Sequence, residues 1–599
     1  MRQLIAALAI ALVSLAAVPP AAEGASTLTF VAVRVPGKDV VAARIYAGPD
    51  AIMTLSGHGW KSVETAQEVE RRLNALAEEG VQADDISIWT ERRTHSIMAR
   101  GQRIVTIDKQ VAAAQKSDRA SLARVWSRNL REQFGRPYLS VPPVLVPVGE
   151  NRAVPVSGNI SGRLAVRSQD PFLEVSWDAA AKEIRVYGME PGRTDLVVED
   201  EASSLLVPAR AAKYAARMTA SVPAAVTGAP ATPDVIARAV KAALGAALNV
   251  EPGASAGISA WAKPGGSLWP GKSAQVSAEV SASGPDYLSY RATPLVTVEN
   301  EIVASRPADL LMVSNYPERL LGKGLWYEGK IGDWGSVRFL YHHVNGSAET
   351  ADLVVELWNL GDQTARVQVI AGTAGPSSDE VWVGHRAAGA FLSNRALNQG
   401  WIAPIPPGRA VPLVSHHLRP RAIASGVLEL RALTKADLSL RLYLSAPMMD
   451  RVPRPLDAYA PSPLLGQWQY PQPLRELKAR YAVGGEWVFL TIGAQPADGL
   501  RPGDRLPGNY GVIYDIDLEL VNPTAEPARV ALLLEPAGGP ARGALLVDGR
   551  QVETALLKNM DEGLVARYLL DPGQSRRVRV QTMPQGGSNY PVRLVARTM

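Results

Sequence analysis

Histidine is the residue type in this chain whose spacing could support metal chemistry. Two adjacent pairs, His342-His343 and His416-His417, flank His385 in the sequence. Adjacent residues on a strand face opposite sides, so each pair offers one ring to a common site. One member of each pair and His385 could hold zinc with one coordination position open. His342, His385 and His416 are therefore the candidate metal ligands.

The strand that carries the first histidine pair decides which ring is available. In Arg338–Val344 the alternation places Phe339, Tyr341 and His343 on one face, which has the composition of a core. His342 is then the outward residue. Asp379 or Glu380, in a stretch rich in Gly, Pro and Ser, would be the nearest carboxylates to orient such a ligand.

Other catalytic signals are weak. The sequence has no H-E-x-x-H and no G-x-S-x-G motif, and its acidic residues are scattered along predicted strands. Gly266–Ser273 fits the P-loop pattern, but Ala274–Val280 alternates like a strand where a P-loop requires a helix. We expect no catalytic residues and no cofactor.

Tryptophan is unusually frequent, with 13 residues against 6 phenylalanines. Five of them lie in one region: Trp326, Trp334, Trp358, Trp382 and Trp401. Exposed aromatic rings on a β-sandwich can stack on sugars, whereas burial in the core is their commoner fate. A polysaccharide therefore remains a possible partner.

These histidines and tryptophans lie in the first copy of an internal repeat. Asp352–Pro376 aligns with Asp515–Pro540, and both copies have a strand ending in Asn, a polar turn and a second apolar strand. This order is typical of immunoglobulin-like sandwiches. It predicts two tandem β-sandwiches, at 309–452 and 466–599, joined by the Pro-rich linker Val452–Pro463. The second copy contains no histidine, so the fold does not require them.

The preceding chain predicts two units that contain helices. At 26–140 strands surround a helix that is capped by Ser62 and a second helix from about Ser117, which indicates an α/β domain. At 219–308 a helix begins at Pro233 after Thr232 and is followed by strands, which indicates a small α/β unit.

Between these two units, 141–218 alternates with period two and is broken by turn residues, which predicts a small all-β module. Its turn motifs are Val148-Gly149-Glu150, Asp170-Pro171, Tyr187-Gly188 and Pro191–Leu196. On these residues, at about 141–210, the module resembles the pilus-formation N-terminal domain that precedes secretin channels. The resemblance implies envelope machinery and partners in pilus or secretion assembly.

The first 25 residues predict a secretory signal peptide. Arg2 precedes the apolar run Leu4–Ala17 and the small residues Ala21–Ala25. No later stretch reaches transmembrane length, so we expect no transmembrane segment in the mature chain. Cysteine is absent, which excludes disulfides and thiolate metal sites. The net charge of +5 has no basic cluster, so a nucleic-acid partner is not expected.

Taken together, the sequence predicts a multidomain, mainly β protein exported to the periplasm or cell surface. The predicted function is a non-catalytic scaffold or adaptor of the cell envelope, linked to pilus or secretion-system assembly. The alternative is a carbohydrate-binding protein or metal-dependent enzyme seated in the first β-sandwich.

Overall fold

The computed structural model describes residues 27–35, 41–91, 94–261, 265–447 and 468–599. Strands predominate in it, which confirms the predicted mainly β, multidomain fold. Its chain forms two compact units: residues up to Tyr214 with Asp286–Leu288, and Ala215–Pro285 with Ser289–Met599. The predicted signal peptide and the linker Val452–Pro463 lie outside the described residues.

The first unit begins with helices packed on two three-stranded antiparallel sheets, β1-β2-β3 and β4-β5-β6. The elements are β1 (Phe30–Val35), β2 (Ala42–Ala47), β3 (Asp50–Leu55), α1 (Trp60–Glu78), β4 (Ile86–Glu91), β5 (Thr94–Ala99), β6 (Gln102–Ile107), α2 (Lys109–Ala114) and α3 (Arg119–Phe134). Helix α1 begins one residue after Gly59, so the predicted cap at Ser62 is wrong. The Ser62 hydroxyl accepts a hydrogen bond from the His58 backbone (3.2 Å) and is buried inside the first turn.

The rest of this unit is all β and has its own apolar core. Its strands are β7 (Tyr138–Ser140), β8 (Val144–Pro147), β9 (Asn151–Pro155), β10 (Ser157–Asn159), β11 (Ala165–Ser168), β12 (Leu173–Asp178), β13 (Glu183–Gly188), β14 (Gly192–Glu199) and β15 (Ser204–Ala212). They form the sheets β11-β14-β15-β8 and β12-β13-β9 and the pair β10-β7. The period-two pattern is sufficient to predict this module because one face of each sheet is exposed to solvent.

The second unit opens with a helix and strands in the predicted order. These are β16 (Ala216–Arg217), β17 (Ser221–Thr227), α4 (Pro233–Ala247), β18 (Asn249–Val250), β19 (Ser255–Trp261), β20 (Ser273–Ser283), β21 (Tyr290–Ala292) and β22 (Leu295–Asn300). Helix α4 starts at Pro233 as predicted. Ser273 begins a strand rather than a helix, so the P-loop pattern has no helix N-terminus to bind phosphate.

The first sandwich follows, and one of its sheets is continuous with the strands just described. Its elements are β23 (Leu310–Ser314), β24 (Arg319–Leu320), β25 (Gly324–Ile331), β26 (Ser336–Asn345), β27 (Ala351–Asn359), β28 (Ala365–Ser377), α5 (Glu380–Ala396), β29 (Gly400–Ile405), β30 (Ala410–Leu418), β31 (Ile423–Ala432) and β32 (Leu438–Ser445). One sheet is β25-β32-β27-β30 and the other contains β29-β28-β31-β26-β23. Strand β17 pairs with β29, so the segment predicted as a small unit at 219–308 extends this second sheet.

The second sandwich contains β33 (Gln469–Tyr470), β34 (Leu474–Ala482), β35 (Val488–Ile492), β36 (Ala497–Asp498), β37 (Arg505–Leu506), β38 (Ile513–Val521), β39 (Ala528–Pro536), β40 (Ala544–Val547), β41 (Arg550–Glu553), β42 (Gly563–Leu570), β43 (Ser575–Thr582) and β44 (Val592–Thr598). Its facing sheets are β34-β38-β43-β40-β41 and β35-β44-β39-β42. Strand β33 pairs instead with β23 of the first sandwich.

The internal repeat occupies equivalent strands in the two sandwiches. β27 pairs with β30 as β38 pairs with β43, in both cases antiparallel. The next strand, β28 or β39, lies in the opposite sheet between β29 and β31 or between β42 and β44. The first sandwich differs by one strand: β32 lies between β25 and β27, whereas β34 pairs directly with β38.

The Asn that ends each matched strand is a buried structural residue. Asn359 Nδ2 donates to the carbonyls of Gln363 (2.6 Å) and Ile405 (2.8 Å), which ties the turn to the end of the opposite sheet. Asn522 repeats this with Glu526 (2.8 Å) and Leu570 (3.0 Å). The repeat therefore preserves a hydrogen-bonded corner as well as an apolar pattern.

Helix α5 was not predicted from the sequence. It packs on β28 and β31 of the first sandwich and on β40 of the second. Apolar side chains of α5, Ala388, Phe391 and Leu392, belong to a core that also contains residues of both sandwiches. The two sandwiches are therefore packed together within one unit.

Candidate metal centre

The three candidate histidines lie in different surroundings and do not form a common site. His416 Nε2 is 2.7 Å from the Tyr341 hydroxyl inside the first sandwich. His385 lies on α5, where its Nε2 donates to Glu553 Oε2 (3.0 Å). His342 makes neither of these hydrogen bonds. The predicted three-histidine arrangement is wrong. His385 lies on a helix, and His342 on β26 and His416 on β30 belong to different sheets, with His416 facing the interior of the sandwich and His342 facing away from it.

The remaining members of the two pairs are also held by structural contacts. His343 Nε2 hydrogen-bonds to Ser314 Oγ (2.9 Å), and burial lowers the pKa of His343 to about 3. His417 is largely exposed and pairs with Asp352 (2.8 Å). For His416, burial and then the charge of Arg238 lower the pKa to about 4.

His342 instead faces two carboxylates. Its Nε2 lies 3.5 Å from Glu318 Oε1 and 3.8 Å from Glu380 Oε1. One ligand atom from each of the three residues lies within 4.8 Å of the others. The sequence predicts Asp379 or Glu380 as the nearest carboxylate to His342. The structure places Glu380 there, as the first residue of a helix and not in a loop, whereas Asp379 caps that helix. Glu318 was missed, because a loop brings it to the site.

Local structure fixes each of these side chains. His342 lies on β26, which is hydrogen-bonded on both edges. Glu318 is tied to the same strand, since the Val344 backbone donates to its carbonyl (2.9 Å). Glu380 is the first residue of α5, where Asp379 caps the helix by accepting from the Trp382 backbone (2.9 Å).

The second sandwich covers the imidazole. A Cβ placed on Gly586 would lie 2.5 Å from His342 Nδ1, so only glycine permits this approach. On the other side of the same loop, a Cβ on Gly384 would lie 1.8 Å from the Gly586 carbonyl oxygen. The His342 ring is consequently only 4% exposed, although it faces outward from its own sandwich.

The two carboxylates differ in their electrostatic surroundings. Burial, and then the charge of Glu380, raise the pKa of Glu318. The neighbouring His342 ring lowers the pKa of Glu380. Burial, and then the charges of Glu318 and Glu380, raise the pKa of Tyr510 in the second sandwich.

A buried ionic cluster lies farther along β26, on the same face as His342. Arg338 is fully buried and donates to Glu429 (2.9 Å) and to the carbonyls of Pro473 (2.6 Å) and Gly511 (3.1 Å) in the second sandwich. Arg395 on α5 lies 3.4 Å from the same Glu429 carboxylate. Arg338 thus joins both sandwiches.

The tryptophans of the first sandwich are dispersed among different environments. Trp401 is buried, and Arg441 lies 4.0 Å above the ring of Trp358. Trp334 and Trp382 are exposed, at a turn and on α5. A different aromatic pair is exposed in the second sandwich: Trp487 and Phe489, whose ring centroids are 6.2 Å apart beside the edge strand β35.

The all-β module of the first unit carries an open groove of about 580 Å³. Two of its turn motifs line the groove, where Thr194 Oγ1 donates to Asp170 Oδ2 (3.0 Å). In the described residues, no helix is long and apolar enough to cross a membrane.

Comparison with known families finds one match, over residues 45–136, to a domain of unknown function, DUF8459. No pilus-formation or secretin-associated family is found, so the resemblance predicted at about 141–210 is wrong. That resemblance depended on turn residues such as Asp170-Pro171 and Pro191-Gly192, which recur in unrelated β modules because they meet common turn geometries. No curated protein matches the chain.

Similarity to solved structures is too weak to carry an argument. Domains 5-6 of the S-layer protein SbsC are 10% identical, with 28% of this chain and 97% of that chain covered and a TM-score of 0.12. An endo-fucoidan hydrolase of glycoside hydrolase family 107, MfFcnA9, is 12% identical, with 30% and 37% covered and a TM-score of 0.15. The M60 catalytic domain with two CBM51 domains of Clostridium perfringens ZmpB is 9% identical, with 82% and 59% covered and a TM-score of 0.16.

Proposed function

We propose that this protein is an exported, non-catalytic scaffold or adaptor of the cell envelope. One observation carries the proposal: the two sandwiches share an apolar core and are joined by the buried Arg338. Such a joint holds the outer surfaces of the two sandwiches in a fixed relation, which is what a scaffold requires. An enzyme that closes on a substrate needs instead a joint that opens.

The alternative of an enzyme in the first sandwich had its basis in a three-histidine site. His385 and His416 are engaged with Glu553 and Tyr341, so that basis no longer supports it. The hydrogen-bond partners of His343, His385 and His416 favour structural roles for these three residues.

Export is proposed from the N-terminal sequence pattern. The full-length chain expressed in a bacterial host should appear in the periplasmic or extracellular fraction with a new N-terminus near residue 25. Recovery of the unprocessed chain in the cytoplasm would contradict export.

The edge strand β35 is the best position from which to test the scaffold role. Phe489 and the preceding Trp487 are each about half exposed, and edge strands commonly pair with partner chains. A photo-crosslinking residue at 489 should capture a defined envelope protein in cells. The same residue at the exposed Leu569, on the opposite edge strand β42, is the control. Identical capture at both positions, or none at 489, would contradict a specific contact at β35.

A further inference from the structure

The donor atoms around His342 lie near the spacing that ligands have on one metal ion. Two ligands at about 2.0–2.1 Å from a tetrahedral zinc ion lie about 3.3–3.4 Å apart. The distances from His342 Nε2 to Glu318 Oε1 and Glu380 Oε1 are 3.5 and 3.8 Å. These are longer than good hydrogen bonds but need only a small contraction to close around an ion.

The imidazole itself lacks a hydrogen-bond partner within the described residues. Both ring nitrogens of His342 are buried and form no hydrogen bond with any described residue. Buried polar atoms almost always have a partner, so a missing one requires an explanation. His343, His385 and His416, all buried nearby in the fold, each have one. A metal ion between His342 and the carboxylates would provide the partner that the protein does not.

The charges of the two carboxylates also favour a bound cation. In the described part of the chain the only ion-pair partner of Glu318 or Glu380 is His342. Two carboxylates that share one site repel each other unless a proton or a cation lies between them. A divalent cation would neutralise both, and since each carboxylate side chain is 49% exposed, the ion can enter from solvent.

We propose that Glu318, His342 and Glu380 bind one divalent ion of the zinc type, which fastens the start of α5 to β26. The donor set of one imidazole and two carboxylates suits zinc and its first-row neighbours, whereas calcium and magnesium prefer oxygen donors alone. The fourth position, on the exposed side, is available to water. This site goes beyond the scaffold role and does not depend on it.

The test uses the full chain, stripped with chelator and then dialysed against Zn²⁺. We expect one zinc per chain by elemental analysis and a higher melting temperature than that of the stripped protein. Co²⁺ should replace Zn²⁺ and give the visible absorption of a four-coordinate ion. Glu318→Gln and Glu380→Gln each keep the size of the side chain and should weaken binding by more than about 100-fold, since loss of an outer partner alone costs 10–100-fold.

The control is His417→Gln, which alters an exposed imidazole paired with a carboxylate in the same sandwich. It should bind zinc like the unmodified chain. Absence of zinc uptake, or uptake that both glutamine variants retain, would overturn the proposal. The Co²⁺ spectrum of the unmodified chain decides the question even if a variant fails to fold. Because crosslinking at 489 does not involve this site, failure of one proposal leaves the other standing.

Discussion

At the residue scale, the buried His416 of the first sandwich couples stability to pH. His416 has a pKa of about 4 in the folded chain because burial and the charge of Arg238, on α4, disfavour its protonated form. An unfolded histidine has a pKa of about 6.5. The unfolded chain therefore binds the extra proton between these values, and the folded chain does not.

We accordingly expect full stability from this group above pH 6.5, with a loss of about 1.4 kcal/mol per pH unit as the pH falls from 6.5 to 4. Urea unfolding at pH 7, 6 and 5 measures the slope. His416→Gln removes the titrating group and should flatten it by that amount. An equal slope in both proteins would show that His416 is neutral, or charged, in both states alike.

A second prediction concerns the buried Asn at the end of the matched strand in each repeat. Asn522 Nδ2 donates to three backbone carbonyls, those of Glu526, Leu570 and Asp571. Asn522→Ala leaves buried carbonyls without donors and should lower the free energy of unfolding by roughly 2–4 kcal/mol. Asn589→Ala is the control: its single bond, to the Pro540 carbonyl, is exposed, and less than about 1 kcal/mol should be lost. Equal losses would contradict the role given to the corner.

At the element scale, helix α5 determines how the two sandwiches meet. Its residue Gly384 lies against the Gly586 backbone, where a Cβ would be 1.8 Å from the carbonyl oxygen. Gly384→Ala must separate helix and loop and should destabilise the chain by about 1–3 kcal/mol. Gly245→Ala on α4 has open space around the new Cβ and should stabilise by about 0.5–1 kcal/mol. Thermal unfolding compares the two; similar shifts would show that the contact at Gly384 is looser than described.

The strands were largely predictable and α5 was not, for one physical reason. Strands with one solvent-exposed face, such as β13, alternate between apolar and polar residues, and helix α1 has one apolar stripe. Helix α5 is buried against sheets on more than one side. Its own small and apolar residues are therefore spread around the helix, and its sequence shows no single apolar stripe. Its capping residue, Asp379, lies in a stretch rich in Gly, Pro and Ser, a composition that predicts a loop.

The candidate site, too, could be predicted from the sequence only in part. His342 could be identified as the outward residue from the alternation along β26, and Asp379 or Glu380 could be identified as its candidate carboxylates. Glu318 could not, since its position depends on a loop that returns to β26. Nor does the alternation of β26 reveal that a second sandwich buries its outer face.

At the scale of the whole molecule, Arg338 is a fully buried polar link between the sandwiches. Arg338→Met would leave Glu429 with only Arg395 and would leave the carbonyls of Pro473 and Gly511 without their donor. Breaking such a buried pair should cost about 3–5 kcal/mol. Lys323→Met, which removes the exposed pair with Glu349, should cost less than about 1 kcal/mol. Chemical denaturation measures both, and a small effect at 338 would contradict its role as a link.

Native-state hydrogen exchange with increasing denaturant tests most directly whether the two sandwiches are one cooperative body. The central strands β28 and β31 of the first sandwich and β39 and β44 of the second should exchange with the same free energy of opening, because they share a core. In Arg338→Met that common value should fall for all four strands together. Opening of β39 and β44 at a distinctly lower free energy than β28 and β31 in the unmodified chain would contradict the account, since the second sandwich would then unfold alone.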